Sequence, residues 1–107
     1  MEIITTTSTE IPGKKISQIL KVVKGNTIRV RNVGRDIMAG FKTLIGGEIK
    51  SYTGMMSQAR EEAFNRMVNE AHALKADAII NIRFMTASVM SGAAEMLAYG
   101  TAVKLGK

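Results

Sequence analysis

MMSQAREEAFNRMVNEAHALK, residues 55–75, decides how the rest of the chain is read. Met56, Ala59, Ala63, Met67, Ala71 and Leu74 recur at steps that put them on one side of a helix, and Phe64 and Val68 widen the stripe. No glycine or proline interrupts the stretch, and Glu62 precedes Arg66 by one helical turn in the favourable order. A buried stripe of Ala and Met predicts tight packing of this helix against a sheet.

Downstream, Ile80, Ile82 and Phe84 alternate with Asn81, Arg83 and Met85, the period of a strand over 79–90. Ser91-Gly92 reads as a turn. In the strand over 95–105, Leu97, Tyr99, Val103 and Leu105 alternate with Met96, Ala98, Gly100 and Ala102. The small residues let another backbone come very close. Upstream, the β-branched run at 3–8 predicts a strand, and Pro12-Gly13 a turn. From Ile16 to Val23 apolar residues fall on both sides, Leu20 with Val22 on one and Ile19 with Val23 on the other. Gly25-Asn26 reads as a turn or bulge before an extended 27–31. Ile37, Phe41, Leu44 and Ile45 predict a shorter helix over Val33–Gly47 with Gly46-Gly47 as its stop, and Gly40 inside it permits a close approach.

The fold expectation is α+β: a curved antiparallel sheet packed on one long helix plus a shorter helix, order β-β-α-α-β-β, in a single domain over 1–107. Strands apolar on both faces, a face of Ala and Gly, and open sheet edges predict a homo-oligomer.

Composition narrows the function classes. The chain has no cysteine, so disulfides and thiolate metal sites are excluded. The first residues lack a basic, then apolar, leader pattern, and no apolar run approaches the ~20 residues of a membrane helix. A cytoplasmic protein is expected. Fifteen basic against nine acidic side chains give a net charge of +6. Lys14, Lys15, Lys21, Lys24, Arg29, Arg31 and Arg35 form a basic cluster that would attract anions. No aromatic residue interleaves it, which argues against a nucleic-acid platform.

The segments IITTTSTEIPGKKI, GNTIRVRNVGRDIMAGFKTLIGGEIKSYTGMMSQAREEAFNRM, ADAIINIRF and GAAEMLAYGTAV resemble the YbjQ-like family over essentially the whole chain. That family also carries the description "putative heavy-metal-binding domain". The resemblance implies a subunit related in architecture to dodecin and a pentameric ring, with no established reaction. One departure is Lys75, which stands where family members usually carry a helix-capping Gly.

The residues name candidates rather than a chemistry. Arg35, Glu48, Tyr52, Arg60, Glu95 and Tyr99 are the polar groups inside the family-like motifs, candidates for a ligand site or a subunit interface. Arg60 and Glu95 lie beside core stripes, where a buried ion pair or an interface contact is expected. Lys14, Lys15, Arg29 and Arg31 are the anion-binding candidates. Gly34-Arg35-Asp36 precedes a helix but matches no phosphate-loop pattern. Ser57, Ser88 and Ser91 lack a nucleophile motif, and no catalytic residue is assigned. For metal there are His72, with Glu70 and Asp77 near it, and the thioethers of Met55, Met56, Met85, Met90 and Met96, which read more simply as a surface histidine and core filler. No aromatic marks a flavin site. The sequence is read as a non-enzymatic cytosolic ring binding a small ligand or metal ion. The alternatives are an enzyme or carrier with an intersubunit site, and an anion or nucleic-acid binder.

Overall fold

The computed structural model describes residues 2–30, 47–90 and 93–106, with side chains for 2–29, 54–90 and 93–106. Its elements are β1 (Ile4–Thr5), β2 (Lys15–Val30), α1 (Gly47–Ala73), β3 (Ala78–Met90) and β4 (Ala93–Gly106). The strands form one sheet in the order β1-β3-β4-β2.

The α+β class stands, but the sheet is mixed rather than purely antiparallel. β4 runs antiparallel to β2 and β3, whereas β1 lies parallel to β3, with Ile4 opposite Ala78. The reason lies in the connection after β1. Pro12-Gly13, with Gly13 at φ 78°, closes no hairpin. Residues 6–14 instead carry the chain from one edge of the sheet to the other. On the way Ile11 packs on Ala78, Ile80, Val103 and Leu105, which cover the lower part of the sheet face away from the helix. The shorter helix expected at 33–46 lies outside the described residues, and Gly47, read as its stop, is the first residue of α1.

The stripe of α1 is buried as its spacing requires. Ala59, Ala63, Met67 and Ala71, one turn apart, are each at most 1% exposed. They meet Val23 of β2, Ile79 and Ile82 of β3, and Met96, Ala98 and Ala102 of β4. Met56, Phe64, Val68 and Leu74 flank that contact. The Ala/Gly face of β4 is thus taken up by the chain's own helix, and it no longer argues for a second copy.

Gly25 is where the helix comes closest, and it sits inside β2 rather than in a turn. A Cβ there would collide with the backbone of Ala63 and Met67 and with the Cβ of Arg66. Next to it, Thr27 is 3% exposed and its Oγ1 donates to the carbonyl of Ala59 at 3.1 Å. Arg66 donates to the carbonyl of Asn26 at 2.6 Å, and Arg29 pairs with Glu62. The expected helical pair Glu62–Arg66 therefore gives way to two contacts that tie α1 to β2.

Register shifts move the faces away from simple alternation. One between Ile19 and Lys21 in β2 puts Leu20 with Val23 towards the helix, not with Val22. Another in β3 lies between Ile80 and Arg83, with Asn81 at φ 54°. It brings Ile79 and Ile82 onto the helix face while Ile80 faces away. The extra residue leaves two amides turned to the edge. Asn81 N–H donates to Ser8 O and Ile82 N–H to Thr6 O, both at 3.1 Å.

α1 ends in a Schellman motif. Ala76 N–H reaches Ala71 O at 3.1 Å, and Lys75 N–H reaches His72 O at 2.9 Å. Lys75 adopts the left-handed conformation at φ 59°, so the cap forms without a Gly there, at an expected cost of about 1 kcal/mol.

Candidate functional site

Among the described residues, polar side chains gather on the sheet face away from α1. β4 runs down its middle, so strand pairing fixes the rows. Tyr99 is flanked by Lys24 on β2 and Arg83 on β3. The next row is Asn26, Leu97 and Met85, followed by Ile28, Glu95 and Ala87. Tyr99, Leu97 and Glu95 are half-buried, while Lys24, Arg83, Ile28 and Met85 are exposed. Lys24 and Arg83 lie two strand spacings apart, roughly 10 Å along the sheet, on either side of the tyrosine. This row can meet an anionic or hydrogen-bonding group, but one copy leaves it shallow and open to water.

Its polar groups are partly committed already. Arg83 Nη1 donates to the carbonyls of Thr7 at 3.0 Å and Ile82 at 2.9 Å, fastening the amino-terminal segment to β3. Glu95 accepts from Asn26 Nδ2 at 3.2 Å.

The other candidates are dispersed. Arg60 is exposed on α1, where it donates to Ser57 Oγ at 3.4 Å, and among the described residues it forms no ion pair. It lies on the helix side of the sheet and Glu95 on the other. Glu48 and Tyr52 fall on α1 with side chains outside the described set, and Arg31 and Arg35 lie outside the described residues. The basic cluster is divided. Arg29 is neutralised by Glu62, and Lys21 lies 3.9 Å from Glu70. Lys14, on the connection after β1, and Lys15, the first residue of β2, line an open cleft of about 1030 Å³. A smaller cleft of about 360 Å³ holds Glu2, Lys14 and Asp77, but Asp77 Oδ2 already accepts the amide of Leu105 at 2.9 Å.

A metal finds little here. The chain has one histidine and no cysteine. Among the described residues no three His, Cys, Asp or Glu side chains come together. His72 is exposed in the last turn of α1. Met67 and Met96 are buried core, Met56 packs on it, and Met85 and Met90 are exposed at different places along β3. Among the described residues, one copy does not supply the donors a heavy-metal ion requires.

Sequence reasoning missed Arg83 and Asn81. An asparagine inside a strand pattern was the available signal, since Asn tolerates positive φ better than most residues. It also missed the stacking of Phe84 on Phe64, with centroids 6.4 Å apart and planes inclined by 19°.

Comparison with known proteins places this geometry among relatives. A family model described as "Putative heavy-metal-binding" matches residues 3–106. A UPF0145 protein of Methanoculleus marisnigri is 58% identical over 95% of this chain and 95% of its own length. Another UPF0145 protein, from Thermotoga maritima, is 55% identical over 97% of this chain and 98% of its own. Among solved structures, a Pediococcus pentosaceus protein with unknown function, of the DUF74 family, superposes with a TM-score of 0.68 at 20% identity, covering 97% of this chain and 98% of that one. At that identity the likeness speaks for the fold alone. No described helix is long and apolar enough to cross a membrane.

Proposed function

We propose that this chain, which belongs to the YbjQ-like family described as "Putative heavy-metal-binding", is a cytoplasmic, non-enzymatic protein that assembles into a ring and binds a small ligand at a site completed between copies. A single observation carries the reading. The outer part of β3 exposes Phe84, Met85, Val89 and Met90 at 45–66%, while the buried stripe of α1 lies on the core farther down the sheet. Apolar residues gathered on one strand mark an interaction surface more than singly scattered ones do. The open face adds Val22 and Ile28 at 58% and 55% exposure. A neighbour lying there would turn the shallow Lys24–Tyr99–Arg83 row into a walled site. The subunit number, five, rests on the family resemblance. The donors among the described residues suit a small anionic or polar molecule better than a heavy-metal ion held by one copy.

Native mass spectrometry on protein purified without a metal column tests this. A closed assembly with one subunit number is expected, and a discrete extra mass would identify the passenger. A single copy at micromolar concentration would overturn the reading.

A further inference from the structure

We propose that the seam of this assembly is main-chain pairing between the outer edge of β3, at Arg83–Met90, and the outer edge of β2 in the next copy. The inference rests on the self-assembly reading above and gives it a location.

The β3 edge is divided sharply. Its base is covered by the chain's own amino-terminal segment, through Ile4 N–H to Asp77 O, Thr6 N–H to Ile79 O, Asn81 N–H to Ser8 O and Ile82 N–H to Thr6 O. The bulge at Asn81 ends that cover. Beyond it β3 pairs with β4 on one side, and among the described residues nothing pairs with the other. From Phe84 to Met90 the strand reads FMTASVM, with no charge, proline or glycine. Edge strands that must stay single usually carry lysine, proline or a bulge as protection, and an unprotected one is a template for another strand.

The opposite edge of the same sheet differs. β2 carries Lys15, Lys21 and both register shifts in its first half, the marks of a protected edge. Its half from Val22 to Val30 pairs with β4 without interruption and leaves its outer side free among the described residues. That half is long enough to span the β3 segment. The charges favour antiparallel pairing, which sets Lys24 near the uncharged Met90 end and brings Arg83 towards Arg29, a cation already paired with Glu62. Pairing β3 with β3 would stop at two copies. Joining two different edges is a heterologous contact, which gives a ring when the rotation from copy to copy closes.

The test uses two variants of the full chain. Met85→Lys/Val89→Lys charges the β3 edge, and Val22→Lys/Ile28→Lys charges β2. All four side chains are at least half exposed in one copy, so circular dichroism and melting should match wild type. Each variant alone is expected to run as a monomer by light scattering. Mixed one to one they should form a dimer, since each contributes one intact edge. Glu61→Lys, an exposed change on α1, should leave the assembly as it is. A monomeric wild type overturns self-assembly itself. An assembled wild type whose charged variants keep the same size overturns the seam. Monomeric variants that give no dimer on mixing overturn the pairing of unlike edges.

Discussion

β3 contains two regions of similar composition and opposite fate. Ala78–Ile82 is buried at every position but Asn81, whereas Arg83–Met90 is exposed throughout. Both are rich in apolar residues, and both pair with β4. What separates them is the company on their other sides. The base has α1 above, Ile11 below and the amino-terminal segment along its edge. Among the described residues the outer part has β4 and the stacking of Phe84 on Phe64. Hydrophobicity of a strand therefore says that it wants cover, and the fold around it says whether the chain supplies that cover itself. The elongation of the molecule, 58 Å by 22 Å by 21 Å, expresses the same division. Its radius of gyration is 17.6 Å, against roughly 13 Å for a compact chain of this length.

The comparison can be broken most severely at Gly25, which anchors the covered half. Gly25→Ala drives a methyl into the backbone of α1 and should cost about 3 kcal/mol or more, read by urea unfolding. A cost under about 1 kcal/mol would mean that the helix does not rest there.

The next test stays within β3. Ile79 is 0% exposed, and Ile79→Ala should cost about 3 kcal/mol at any protein concentration. Val89, at 50%, should tolerate Ala within about 0.5 kcal/mol in dilute protein, with a larger loss appearing only where copies associate. Equal costs in dilute protein would erase the distinction between the two regions.

Smaller effects sharpen the picture of how α1 is held. Lys75→Gly relieves a left-handed lysine and should raise stability by about 1 kcal/mol, visible as a higher melting temperature. Glu62→Gln removes the ion pair to Arg29, whose side chains are 29% and 46% exposed, and should cost about 0.5 kcal/mol, less at high salt.

Much of this was legible in the sequence. The stripe of α1 was readable because a helix repeats its neighbours every turn, and Ala59 through Ala71 obey that period without exception. The small face of β4 was readable as a place of close approach, although its occupant proved to be the chain's own helix. Gly25 was misread as a turn or bulge because a glycine between apolar stretches looks alike whether the chain bends or another backbone presses on it. Asn81 and the shift after Ile19 were unreadable because a bulge is defined by the partner strand. Two members of the basic cluster, Arg29 and Lys21, turned out to be paired, for a related reason. The acids that neutralise Arg29 and Lys21 lie on α1, far away in sequence and adjacent in space. Of the site candidates, Tyr99 and Glu95 were found on the open face that β4 alternation assigns them. Arg60 was not drawn to them, because the sheet stands between.

Hydrogen exchange along β3, followed residue by residue as protein concentration is raised, tests the central claim most directly. Buried β3 amides from Ala78 to Ile82 should exchange slowly throughout. Between Phe84 and Met90, alternate amides should exchange fast in dilute protein, as on a free edge, and consecutive amides should become slow as copies assemble. Fast alternate amides at every concentration, or complete protection already in the dilute single chain, would contradict the account.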